Sequence, residues 1–166
     1  MIVAMADNPT GFARRAVIAM GLVVPVLAHA ETAQAAEIGS RAWFEAYIDA
    51  FNRNDFAGFA AYYAPNVTFM GQGGSFSSAA EVLAFYRAVK ARVDEQLELL
   101  SFVGSPTRIA AEIKTVLHAR EDWPDFPTGP LARGQRRGSI NFIHYDIEGG
   151  RFTRIRSARF RSLPNG

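Results

Sequence analysis

The chain has 166 residues, 49% hydrophobic and 20% charged, enough for one globular domain with its own core. Its formal net charge of +2 is too small to point to nucleic acid, and the arginines at 133, 136, 137 and from 151 to 161 are spread through strands and a loop rather than massed in a run. Without a cysteine there can be no disulfide, no thiol nucleophile and no cysteine metal site.

The first 30 residues read differently from the rest. Arg14 and Arg15 close a basic segment, Ala16 to Leu27 is an apolar run, and "AHA" (Ala28 to Ala30) and "AQA" (Ala33 to Ala35) offer small-x-small cleavage sites. That order predicts a secretory signal over 1–30, cleaved near Ala30 or Ala35, and a periplasmic or secreted domain over 31–166. The run is short of the roughly 20 residues a membrane span needs, so no stable span is expected after cleavage.

From Arg41, the residues Trp43, Phe44, Tyr47, Ile48 and Phe51 recur at helical spacing. "NRND" ends that helix, and Asp55 caps a second one carrying Phe56, Phe59, Ala60 and Tyr63, which Pro65 stops. "VTFM" (Val67 to Met70) reads as a strand broken by Gly71, Gly73 and Gly74. Ser78-Ala79-Ala80-Glu81 is a capping box that opens a third helix, with Val82, Phe85, Tyr86, Val89 and Val93 on its apolar face.

The remainder reads as sheet. "LELLSFVG" precedes "RIAAEIKTVLHAR", in which Ile109, Ala111, Ile113, Thr115, Leu117 and Ala119 share one face. The proline- and glycine-rich segment 121–135 is a loop; its Trp123 and Phe126 either pin it to the core or cover a pocket mouth. "SINFIHYDI" and "RFTRIRSARF" form a hairpin around Glu148-Gly149-Gly150. Three early helices followed by a long antiparallel sheet make an α+β fold.

That order, with "AYIDAFNRNDFAGFAAYYAPNVTF" (Ala46 to Phe69) and "GRFTRIRSARF" near the end, resembles the nuclear transport factor 2-like superfamily, and within it the SnoaL-like branch, over residues 38 to 163. The resemblance implies a cone-shaped curved sheet packed on three helices around an apolar pocket. Its members include ketosteroid isomerases, polyketide cyclases, scytalone dehydratase, limonene epoxide hydrolase and proteins that only bind, so the fold does not choose the activity. The carboxylate base of a ketosteroid isomerase would fall at Gly71 and its protonated acid at Ile143, while its oxyanion tyrosine matches Tyr47. The epoxide hydrolase residues would fall at Ile113, Thr115 and Ser157. A dehydratase histidine would have to be His118 or His144, and strand parity turns both away from the pocket.

The expected pocket wall is Tyr47, Tyr63, Phe69, Tyr86, Ile113, Thr115, Leu117, Asn141, Ile143, Tyr145, Ile155, Ser157 and Arg159, with Gly71 and Trp123 at its margins. Tyr47, Tyr63 and Tyr86 are the candidate catalytic donors to a carbonyl or phenolate oxygen. Asp125 is a candidate base if the loop folds over the mouth; its alternative is a turn-stabilising aspartate. Two histidines beyond the leader and no cysteine give no recognised ligand spacing, so no metal or cofactor is expected. The sequence thus predicts a cofactor-independent lyase, isomerase or cyclase acting on a small aromatic or polycyclic molecule, its base unidentified. The alternatives are a periplasmic binding protein and a dimeric assembly module. A homodimer, and no nucleic acid, complete the expected partners.

Overall fold

The computed structural model describes residues 36–164; the predicted signal segment, residues 1–30, and its two cleavage sites lie outside them. Helix α1 (Arg41–Asn52) opens where the Ser40 hydroxyl accepts from the Trp43 amide, and it buries Phe44, Tyr47, Ile48 and Phe51 on one face. Asn54, in the left-handed region at φ 58°, turns the chain into α2 (Phe56–Ala60), capped by Asp55. Helix α2 ends before Tyr63, which begins strand β1 (Tyr63–Gly71) and is not helical as expected. Pro65 fits in β1 because the pairing with the last strand is irregular between Tyr63 and Thr68, so its missing N–H breaks no ladder.

A short strand, β2 (Gly74–Phe76), folds back on β1. Helix α3 (Ala79–Arg92) starts at Ser78, whose hydroxyl accepts from the Glu81 amide, and the Glu81 carboxylate reaches one residue further back, to the Ser77 amide at 2.8 Å. Helix α3 runs into β3 (Val93–Ser105) without a loop, so the strand begins four residues earlier than expected and Val93 belongs to it. Strand β4 (Arg108–Ala119) follows, then the 121–135 loop, β5 (Arg136–Glu148) and β6 (Arg151–Leu163). Gly149 and Gly150, at φ 55° and 74°, make the two-residue turn between the last two.

The six strands lie in the order β2-β1-β6-β5-β4-β3. All neighbours are antiparallel except β1 and β6, so the sheet is mixed rather than wholly antiparallel as expected. Bulges interrupt the β3/β4 and β5/β6 ladders and bend the sheet round the helices. The narrow end of the cone is filled with rings: Phe152, fully buried, stands 4.7 to 5.3 Å from Trp43, Tyr47 and Tyr145. Ile109, Ile113 and Ile155 complete that core. Among the described residues no helix is long and apolar enough to cross a membrane.

Candidate functional site

Toward the wide end the packing opens into a cavity of about 140 Å³ between α1, α3 and the concave face of the sheet. Its wall includes Tyr47, Phe69, Tyr86, Thr115, Leu117, Asn141, Ile143, Tyr145, Ser157 and Arg159, all expected there. Five other expected residues lie elsewhere. Ile113 and Ile155 are core residues of the filled end. Tyr63 is buried behind Tyr47, the two hydroxyls 2.9 Å apart. Gly71 stands behind Phe69: a Cβ there would stand 3.0 Å from the Phe69 ring and 3.3 Å from the Ser157 Cβ, so a side chain at this position needs the ring to shift. Trp123 lies on the outer side of Phe126, 5.0 Å ring to ring, under the Arg92 guanidinium.

The loop at 121–135 is pinned and also forms part of the wall. Phe126 is buried against Val89, Val93, Ala119 and Leu131, and both Phe126 and Thr128 line the cavity. Asp125 does not fold inward; it stays exposed because its neighbour Phe126 takes the buried place. Asp125 is therefore corrected from a candidate base to a residue outside the cavity. His118 and His144 lie on the convex side, His118 near Asp94, and His144 beside Met70 and Phe142. Asp146, two residues on from His144, is engaged by Arg108, Arg154 and Arg156.

Residue-by-residue reading missed the carboxylate of this cavity, which is Glu95. It is the third residue of β3 and pairs with Leu117, an inward residue of β4, so it faces the concave side. Burial pushes its carboxyl up from 4.5 to about 7, with Lys90 as a moderating positive charge. Among the described residues no side chain donates a hydrogen bond to that carboxylate. Lys90 itself is buried, its Nζ 3.8 Å above the Phe51 ring and 3.3 Å from the Glu95 carbonyl oxygen, and burial pushes its pKa down. The sequence signal for Glu95 was its place in "VDEQLELL", where alternation begun at Val93 puts it on the inner face; ending the helix at Val93 hid that parity.

Around Glu95 stand the phenols. Tyr47, Tyr86 and Tyr145 line the cavity, and burial pushes all three hydroxyls well above their ordinary range. Glu95 adds to the rise at Tyr47 and Tyr86, which places its charge near both. They stay protonated at neutral pH and act as donors. On β5 the Asn141 amide is committed to Thr115 and Ser139, 3.1 Å from each, with its oxygen 3.4 Å from the Gln72 amide nitrogen. The cavity thus brings a carboxylate poised near neutrality together with neutral hydroxyl donors in an apolar surround, an arrangement suited to moving a proton beside a carbonyl. Among the described residues no group of three metal-ligating side chains occurs.

A family model for the SnoaL-like domain matches residues 44–155, more than half of the chain. Similar solved structures include a candidate polyketide cyclase of Xanthomonas campestris pv. campestris, at 25% identity and a TM-score of 0.58, over 70% of this chain and 86% of that one. A SnoaL-like polyketide cyclase of Agrobacterium tumefaciens matches at 22% identity and a TM-score of 0.57, over 72% and 89%. An LEH-like epoxide hydrolase of M. tuberculosis matches at 15% identity and a TM-score of 0.57, over 71% of this chain and 80% of that one. No curated protein sequence matches. The chain belongs to the SnoaL-like family, on the nuclear transport factor 2-like fold.

Proposed function

We propose that the protein is a cofactor-independent enzyme of the isomerase, cyclase or lyase type, acting on a small aromatic or polycyclic carbonyl compound. The observation that carries this reading is Glu95, a cavity carboxyl held near pH 7 beside Tyr47 and Tyr86. A base works best with a pKa near the working pH. Glu95 takes the proton from the carbon next to the carbonyl, and the C–H electron pair moves into an enolate. Tyr86, assisted by Tyr47, hydrogen-bonds the oxygen on which the charge develops; Tyr63 orients Tyr47 from behind. The enolate then closes a ring, expels a leaving group, or takes the proton back at another carbon. The 25%-identical candidate polyketide cyclase supports the same class of chemistry.

The test is hydrogen–deuterium exchange at the α-carbon of 2-tetralone in D2O, followed by NMR. The wild-type protein is expected to accelerate exchange, with a rate rising through pH 7 to a plateau. Glu95→Gln is expected to lose that acceleration by ~10²- to 10⁴-fold, and Tyr86→Phe by on the order of 10²-fold. Saturable binding with no catalysed exchange would move the protein to the alternative, a small-molecule binding protein.

The convex face supports a homodimer as well. Met70, Phe142 and Phe160 are 63%, 46% and 60% exposed on that face, and the two phenylalanine rings lie 4.9 Å apart. Three large apolar groups left in water on one side of a sheet favour a second copy of the chain over solvent.

A further inference from the structure

We propose that the cavity selects ligands carrying a carboxylate, and that Arg137 reads it. This rests on the reading of the cavity as a ligand pocket, though not on Glu95 as a base. Arg137 is the second residue of β5 and part of the cavity wall, half-buried. It shares one row of the sheet with Glu95, since Glu95 pairs with Leu117 and Leu117 pairs with Arg137. Two strand spacings, roughly 10 Å of backbone, separate the pair. The cavity therefore has an acid at one side of that row and a cation at the other.

Backbone carbonyls hold Arg137 from the loop side. Its Nη1 donates to the carbonyl oxygens of Thr128 at 3.1 Å and Gly129 at 3.2 Å, and its Nη2 to that of Pro130 at 2.5 Å. No carboxylate of the described residues pairs with it. The guanidinium is thus held in place by neutral acceptors alone, with no anionic partner among the described residues. Its Nε–H and one Nη2–H have no partner among the described residues, and that edge of a guanidinium takes a carboxylate with two parallel hydrogen bonds. Because the loop already fixes the side chain, binding costs little additional ordering. The ligand would then be amphipathic: an apolar body against Phe85, Val89 and Leu97, with its carboxylate at Arg137.

The probes are 2-naphthoate and its neutral isostere 2-naphthamide, titrated at pH 8 by fluorescence against the full chain. The wild type is expected to bind naphthoate ~10- to 100-fold more tightly than naphthamide, with a preference that shrinks as salt is added. Arg137→Gln is expected to lose the preference while naphthamide still binds. Arg159→Gln, at the other cation of the wall, is expected to keep it. Equal affinity of the wild type for the two probes, or binding of neither, overturns the proposal without any variant. A preference that survives in Arg137→Gln or disappears in Arg159→Gln overturns it too, as does equal loss of both probes in Arg137→Gln, which marks a residue that only holds the loop. Failure of the base reading shows elsewhere, as α-proton exchange unchanged in Glu95→Gln.

Discussion

Glu95 is where chemistry and stability oppose one another. In the unfolded chain its carboxyl loses its proton near pH 4.5; in the fold it does so only near pH 7. Between those values the folded state binds more protons than the unfolded one, so stability falls as pH rises through the interval, and the loss is complete above it. The full difference would be worth up to ~3 kcal/mol, and solvent screening of the half-buried side chain reduces it to on the order of 1 to 2 kcal/mol. Glu95→Gln should therefore be more stable than the wild type at pH 8 by about that amount and lose the advantage near pH 4.5. Urea unfolding of both proteins at the two pH values checks this. The tyrosines around Glu95 were legible in the sequence, because helical spacing put Tyr47 and Tyr86 on apolar faces. Glu95 was not, because the junction of α3 and β3 has no loop and no glycine to mark it. Asp125 is a candidate base only if its loop folds over the mouth, and the burial of Phe126 next to it turns it outward.

At the scale of elements, the same junction has a device that fixes its strand. The Asn52 side chain, on the last residue of α1, accepts from the Leu97 amide and donates to the Leu97 carbonyl, both at 2.8 Å. The Gln96 side chain returns a bond to the Asn52 carbonyl at 3.3 Å. This clamp ties α1, which carries Tyr47, to β3, which carries Glu95, two residues away from the acid. Asn52→Ala leaves two partly buried backbone groups without their partner and should cost ~1 to 3 kcal/mol. Faster hydrogen exchange at the Leu97 amide is the local sign to measure. The helices and the last hairpin were readable from caps and periodicity: Ser40, Asp55 and Ser78 each cap the helix they precede. The parallel pairing of β1 with β6 was not, since it joins segments more than 80 residues apart in sequence, and no local pattern encodes which edge a strand joins.

The domain over residues 36–164 is a cone filled with rings at one end and open at the other. Phe152 and its aromatic neighbours close the narrow end, which is why Ile113 and Tyr63 serve the core and leave the cavity to residues nearer the mouth. The convex side carries the exposed Met70, Phe142 and Phe160. The homodimer proposed through this face would have to bury roughly 1,200 to 2,000 Å² of surface to be stable. Phe142→Glu should shift the protein to a monomer in light scattering while leaving its far-ultraviolet circular dichroism unchanged. The fold class and the position of the cavity were legible because they follow from element order. The site was legible only in part, because a curved sheet with bulges makes the inner face depend on register, and one misplaced strand start moves a residue across it.

The most direct test of the account is an NMR titration of the Glu95 side-chain carboxyl carbon, assigned by its absence in Glu95→Gln. A midpoint near 7 is the predicted result. A midpoint near the ordinary value of 4.5 would mean an acid solvated like any surface glutamate, and would contradict the assignment of this cavity to proton transfer.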